Sequence, residues 1–309
     1  MAAIPLALVT GFLGSGKTTL LEQAAKRYCG RKIVFLINEF SPKDLDGTRL
    51  RRETPDVEVI AGGSIFCRCL VTKFIEKLSE LPSRFGAPAA PVEGVVVEAS
   101  GMTDPGAAGT LLAESKLDRV YELREILAIV DPGSLLKLIH TLPNIRTQIE
   151  LARRVLINKT DIYPPAQVEQ AEAGVRAINP GATILRTSFC RADIDFFAST
   201  GLPAPQGEYA PCADPRYERF IAPAVGEFDA GRFGGALERL AADIYRVKGF
   251  VMKDGLTRYL DYSAAGLRFE EASSGMPLEL VFILRGPSTR PARRLVEDIK
   301  KGHFRRSTR

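Results

Sequence analysis

Residues 11–18 read Gly11-Phe12-Leu13-Gly14-Ser15-Gly16-Lys17-Thr18 and bring three glycines, a lysine and two hydroxyls together in eight positions. This is the spacing of a phosphate loop. Glycines let backbone N–H groups close around a phosphate chain without side-chain clashes, and a following helix adds the positive end of its dipole. The pattern assigns Gly11, Gly14, Ser15, Gly16, Lys17, Thr18 and Thr19 to the cradle. Lys17 reaches the β- and γ-phosphates, and the Thr18 hydroxyl is placed to ligate magnesium.

Two further constellations can do related chemistry. Asn158-Lys159-Thr160-Asp161 ends an apolar run. An aspartate there can accept from both N1–H and the exocyclic amine of guanine, a pair that adenine cannot return, so Asp161 selects GTP over ATP. In Gly94–Pro105, the run Val95-Val96-Val97 ends at Glu98, with Gly101 three residues on. Glu98 can act on magnesium or its water ligands, and the Gly101 N–H can bind a γ-phosphate. Loss of that phosphate would release the loop, which is how nucleotide switches work.

The elements that must position these residues are visible as apolar runs. Pro5–Thr10, Lys32–Ile37, Val57–Ile60, Gly94–Glu98, Ile126–Val130, Val155–Ile157 and Thr183–Leu185 read as strands. Thr18–Tyr28, Val71–Leu78 and Pro165–Ile178 read as helices between them. The runs are continuous rather than alternating, which suits strands buried on both faces. The expected fold class is therefore α/β, a phosphate-loop NTPase domain with a mostly parallel sheet, whose ligands sit at the C-terminal strand edge.

Four prolines (203, 205, 211 and 215) thin the pattern near Ser199–Pro215. We expect a domain over 1–205, a linker over 206–218 and a small α+β domain over 219–309. In the latter, Arg232–Arg246 has a helical apolar spacing, and Lys248–Met252, Thr257–Tyr262 and Leu278–Leu284 read as strands.

Composition bounds the classes. Of 309 residues, 45% are hydrophobic and 26% charged, which excludes disordered, collagen-like and coiled-coil chains. A net charge of +5 is too small to imply nucleic acid, and the basic stretch Arg290–Arg309 lacks aromatic interleaving; it reads as a solvated helix face. Five cysteines form no framework, pointing to a reducing cytosol. Ile4–Val9 lacks a basic leader and reads as a strand, and no run suits a membrane helix. We expect a cytoplasmic protein with no nucleic-acid or membrane partner.

With these motifs stated, GFLGSGKTTL at 11–20, INEF at 37–40, EASGMTDP at 98–105 and INKTD at 157–161 resemble CobW-like GTPases. That group is related to the nickel chaperones UreG and HypB and to the corrinoid-enzyme chaperone MeaB. The segments Phe228–Phe233 and Tyr245–Phe250 are similar to the CobW C-terminal domain. The resemblance implies GTP hydrolysis with magnesium, coupled to delivering zinc, cobalt, nickel or a metallocofactor to a client metalloprotein or corrinoid enzyme. No catalytic base or arginine finger is evident in the sequence, so slow turnover stimulated by a partner or by a homodimer is expected. The resemblance also implies roles for Lys17, Glu98 and Gly101 in catalysis, for Asn158, Lys159 and Asp161 in base reading, and for Glu39 at the magnesium or the delivered metal. A solvent-facing strand end is the other reading of Glu39.

The chain departs from the family's Gly-Cys-x-Cys-Cys motif. Aligned at Gly63 it reads Gly63-Ser64-Ile65-Phe66-Cys67-Arg68-Cys69, so only part of the thiol set is kept. Thiolates select soft ions, Arg68 favours the thiolate, and an extended segment would turn both sulfurs to one side. Two thiolates do not complete a zinc shell; Glu39, Asp44, Asp46, water or the partner would add to it. Metal or redox use stands beside packing of Cys67 and Cys69 as small hydrophobes. The corresponding alternative function is a GTPase chaperone that gates a corrinoid-dependent enzyme without binding metal through its cysteines. Cys29, Cys190 and Cys212 read as structural, although Cys190 follows Thr187-Ser188-Phe189, where GTPases often carry a second guanine loop.

Overall fold

A computed structural model describes residues 3–39, 45–198, 204–210, 217–263, 265–272 and 274–306. The chain divides into two compact units, 1–212 and 213–309.

In the first unit the strands are β1 (Ile4–Thr10), β2 (Ile33–Glu39), β3 (Val57–Ala61), β4 (Gly94–Glu98), β5 (Tyr121–Val130), β6 (Arg154–Ile157) and β7 (Thr183–Arg186). The helices are α1 (Lys17–Arg27), α2 (Leu45–Leu50), α3 (Val71–Phe85), α4 (Ala108–Glu114), α5 (Pro132–Leu138), α6 (Pro143–Glu150) and α7 (Pro165–Ile178). Among the described residues the strands form one sheet in the order β3-β2-β4-β1-β5-β6-β7. Every pairing in it is parallel.

Alternation explains why the apolar runs are continuous. Leu6 and Leu8 of β1 join one core with Phe74, Leu78 and Leu81 of α3 and Leu111 and Leu112 of α4. Ala7 and Val9 point the other way, into a second core with Leu20, Leu21 and Ala24 of α1. Both faces of the sheet are thus covered, which is why the runs are apolar on both sides.

Strand β5 starts five residues before its expected first residue, Ile126. Glu122, Arg124 and Glu125 interrupt the apolar run, yet Tyr121 and Leu123 are buried and hold the register with β1. Glu125 itself is fully buried, with its carboxylate 3.4 Å from Arg154 Nη2. Burial pushes the Glu125 carboxyl up to about 7.

The expected linker behaves differently from a free connection over its first half. Gly109 N–H donates to the Pro205 carbonyl (2.9 Å), Gly207 N–H to Gly106 (2.8 Å) and Ala210 N–H to Phe66 (2.9 Å), while Arg68 N–H donates to Ala210 (3.0 Å). Proline and glycine exclude regular secondary structure here, but Pro205, Gly207 and Ala210 still pair their backbone groups with other segments of the first unit. Residues 211–216 lie outside the described residues.

The second unit carries β8 (Tyr217–Pro223), α8 (Ala230–Arg239), β9 (Ile244–Lys253), β10 (Leu256–Ser263), β11 (Gly266–Glu271), β12 (Glu279–Arg285) and α9 (Arg290–Lys300). Its sheet runs β11-β10-β9-β12-β8, all antiparallel. The helix expected over Arg232–Arg246 ends at Arg239, and Ile244 pairs with Leu284 in the sheet. Leu240 and Ile244 continue the helical spacing of Phe233 and Leu237, but Ile244 also opens the strand run with Val247 and Val251. Pairing in the sheet outweighs periodicity over so short a stretch. In α9, Ala292, Leu295, Val296 and Ile299 face the core, while Arg290, Arg293, Arg294 and Lys300 are exposed. No described helix is long and apolar enough to cross a membrane.

Candidate functional site

The parallel register brings the motif residues to one edge. Val9 of β1 and Ile37 of β2 both stand opposite Glu98 of β4, and Val130 of β5 stands opposite Ile157 of β6. The segments that follow these strands therefore emerge side by side.

The phosphate loop links β1 to α1. Gly11, Gly14 and Gly16 have φ of 141°, 77° and 117°, the region where side-chain-bearing residues are strained. At Gly16 a methyl group would stand 2.4 Å from Asn158 Nδ2, so glycine is required by space as well as by backbone. Lys17 is buried, and its ammonium donates to the Gly11 carbonyl at 2.9 Å and to Phe12 at 3.4 Å. Thr18 and Thr19 occupy the first turn of α1.

Asn158 ties three loops together. Its Nδ2 donates to the Ser15 carbonyl of the phosphate loop (2.9 Å), and its Oδ1 accepts from the Cys190 N–H (3.0 Å). Thr160 Oγ1 lies 3.1 Å from Ser188 Oγ, and its N–H donates to the Thr187 carbonyl. Lys159 holds a left-handed backbone, φ 64°, and its ammonium reaches Asp131 Oδ2 at 2.8 Å. Asp161 is exposed beside them, open to a ligand.

Glu98 ends β4, buried next to the phosphate-loop strand. In the loop that follows, a methyl group on Gly101 would stand 2.6 Å from the Leu13 backbone nitrogen, so this loop lies directly on the phosphate loop. Gln148 of α6 holds it from behind, donating to the Thr103 carbonyl at 2.8 Å. Thr18 and Glu98 supply hard oxygen donors of the kind magnesium takes, and they fit that ion.

Glu39 ends β2 fully buried, which removes its reading as a solvent-facing strand end. Cys67 and Cys69 are brought together, but not as expected of an extended segment. Cys67 N–H donates to the Ser64 carbonyl and Leu70 N–H to the Cys67 carbonyl, making consecutive tight turns. The two sulfurs are joined as a disulfide across a Cα–Cα distance of 5.4 Å, with Cys67 buried and Cys69 exposed. Among the described residues, no group of three or more His, Cys, Asp or Glu is placed to hold a metal ion. Residues 40–44, with Asp44, the side chain of Asp46 and Cys212 lie outside the described residues.

Three residues of the site were not legible as such in the sequence. Asp131, buried at the end of β5, accepts from Ser134 N–H and Tyr163 Oη as well as from Lys159. Its position, a carboxylate ending an apolar run, is the same signal that exposed Glu98. Asn38, beside Glu39, bonds to two distant segments. Cys190, read as structural, donates from its thiol to the Gly16 carbonyl at 3.3 Å, and burial pushes that thiol up to about 12.

The profile of the CobW/HypB/UreG nucleotide-binding domain matches residues 5–186, more than half of the chain. The chain belongs to the CobW/HypB/UreG family. Its matched span holds the 11–18 loop, Glu98, Gly101, Asp131 and the 158–161 tetrad, and ends just before Thr187, Ser188 and Cys190. Among curated members, zinc chaperone YjiA of Escherichia coli is 26% identical over 201 residues, 65% of this chain and 62% of that protein. The zinc-regulated GTPase metalloprotein activator 1 of Schizosaccharomyces pombe is 26% identical over 206 residues, 62% of this chain and 47% of that protein. The CobW/HypB/UreG chain described here thus matches only about half to three fifths of these relatives' lengths. A crystal structure of Zn(II)-bound YjiA GTPase from E. coli superposes over 99% of this chain and 100% of that one, at 20% identity and a TM-score of 0.47. The strand order and the parallel register define the fold.

Proposed function

We propose that this protein binds GTP, hydrolyses it slowly in the cytoplasm, and couples the cycle to delivery of a transition metal or metallocofactor to a client protein. One observation carries the reading: Asn158 of the guanine-reading tetrad donates to Ser15 of the phosphate loop at 2.9 Å, joining base and phosphate recognition in one site. The GTPase function is assigned to residues 1–205, with 206–218 connecting to the small domain over 219–309.

The chain's own groups divide the work. Asp161 accepts from the guanine edge, and Asn158 keeps the base-reading loop against the phosphate loop. Lys17, now bonded to its own loop carbonyls, exchanges those partners for β- and γ-phosphate oxygens. Thr18 and Glu98 would hold magnesium, which neutralises phosphate charge when bound. The Gly101 N–H would bind the terminal phosphate, and Glu98, acting on magnesium or its water ligands, would help to position the attacking water. No general base or arginine finger stands out in the sequence around these groups, so turnover is slow until a partner or second copy contributes.

Zinc, cobalt or nickel enters as cargo. Cys67 and Cys69 offer two thiolates only when reduced, and two do not complete a tetrahedral shell, which suits a carrier that shares its metal with a client. The joined sulfurs and the lack of a third ligand among the described residues favour a second reading, a chaperone that gates a corrinoid or similar enzyme without using these thiols.

Calorimetry with GTP and ATP, followed by single-turnover hydrolysis in wild type and Lys17→Ala, tests the GTPase. Equal affinity for the two nucleotides would sink it. Zinc titration of reduced wild type against Cys67→Ser/Cys69→Ser separates the two readings: tighter binding by wild type supports the carrier, and identical weak binding removes it.

A further inference from the structure

The loop after Glu98 and the cysteine turn are distant in sequence, and they meet at one side chain. Asn38, the penultimate residue of β2, is 3% exposed. Its Nδ2 donates to the Gly63 carbonyl at 2.8 Å and, at the limit of bonding, to Ile60 at 3.5 Å. Its Oδ1 accepts from the Ile65 N–H at 3.1 Å and from the Ser100 N–H at 3.2 Å. An asparagine amide has two donor hydrogens and one oxygen with two lone pairs, so the group is fully engaged. It cannot turn toward one segment without leaving a buried partner on the other unpaired.

Each end of this bridge leads somewhere chemical. Ser100 precedes Gly101, whose Cα lies so close to the phosphate loop that a Cβ would meet the Leu13 nitrogen at 2.6 Å. A displacement of residues 98–104 with the terminal phosphate is therefore felt at the Ser100 N–H. Gly63 and Ile65 flank Ser64, whose carbonyl accepts from the Cys67 N–H at 3.0 Å and whose hydroxyl accepts from the Phe66 N–H at 3.2 Å. Turns so tightly bonded move as a unit, carrying Cys67 and Cys69 with them.

We propose that Asn38 is the positioning residue that transmits the state of the phosphate-side loop to the Cys67–Cys69 turn, so that access to these thiols differs between the GTP- and GDP-bound protein. This rests on the GTP reading above but needs no metal. Linkage makes the effect reciprocal: whatever holds the thiols in one arrangement shifts nucleotide affinity by the same factor.

The test uses the full chain, reduced with a phosphine, in a Cys29→Ser/Cys212→Ser background so that labelling reports on Cys67 and Cys69. Maleimide labelling rates are measured with GDP and with a non-hydrolysable GTP analogue. The expected ratio is about fivefold or more. Asn38→Ala brings it to near one, and Asn38→Asp, which keeps the shape but cannot donate to Gly63 when ionised, lowers it. The ratio, rather than either rate, is the readout, because a merely structural role would move both rates together. Should Asn38→Ala not fold, an unchanged ratio in Asn38→Asp overturns the proposal. So does a ratio of one in the parent with both nucleotides bound, or the full parental ratio in Asn38→Ala. Failure of the parent to bind GTP in calorimetry sinks the GTPase reading and this inference with it, whereas binding with flat labelling removes the coupling alone.

Discussion

At Gly16 the backbone φ is 117°, and a methyl group would meet Asn158 Nδ2 at 2.4 Å and Cys190 Sγ at 3.0 Å. Gly16→Ala is therefore expected to cost about 1–3 kcal/mol through backbone strain alone. It should also separate the phosphate loop from the base-reading loops. Thermal melts with and without GTP check it: a lower midpoint and no stabilisation by nucleotide are expected. The neighbouring Cys190 thiol, pushed up to about 12 by burial, stays neutral at pH 8. Iodoacetamide should modify the exposed Cys29 and leave Cys190 untouched in the native protein, as read by peptide mass spectrometry. Labelling of Cys190 at the rate of Cys29 would show that the three loops do not close around Asn158. At this scale the phosphate loop was readable from sequence because its glycines and Lys17 act on their own neighbours. Asn38 was not, because a lone asparagine says nothing about which segment will stand opposite it; Asp131 carried the strand-end signal, but nothing local named Lys159 as its partner.

Among the elements, β5 holds the least expected residue. Glu125 is fully buried, and its carboxyl rises from an ordinary 4.5 to about 7, burial outweighing the attraction of Arg154 and Arg153. The folded state then holds a proton that the unfolded state has already released. Stability attributable to this group is complete below about pH 4.5 and is lost as pH climbs through 7, on the order of 3 kcal/mol in all. Glu125→Gln should remove that dependence and be the more stable protein at pH 8.5, measured by denaturant titration at pH 5.5 and 8.5. A second element-scale test concerns residues 204–210. A Cβ on Gly207 would stand 2.8 Å from the Gly106 carbonyl carbon and oxygen. Gly207→Val should lift this segment and expose it to limited proteolysis, with nucleotide affinity as the control for the rest of the fold. Strand β4 and helix α7 matched their sequence expectations residue for residue, being uninterrupted runs with clear stops. The start of β5 and the end of α8 did not, because charged residues and an ambiguous Ile244 gave way to sheet pairing.

For the whole molecule, the two units have separate cores: the two faces of the parallel sheet in one, and the antiparallel sheet with α8 and α9 in the other. All residues of the proposed nucleotide site lie in the first. A fragment covering 1–212 is expected to fold and to bind GTP within a factor of about three of the full chain, checked by circular dichroism and calorimetry. Local chemistry along the chain was enough to specify the glycine-rich turn before α1, the strand ends that carry Glu98 and Asn158–Asp161, and the doubly covered parallel sheet. Each depends on residue type, spacing and apolar runs within one short segment. The tie between Asn158 and Ser15, the anchoring of Lys159 by Asp131, the burial of Glu39, the turn that joins Cys67 to Cys69 and the Asn38 bridge arose from packing. These pairings depend on strand register, set when separate crossovers fold back onto one sheet, and no single segment carries that register.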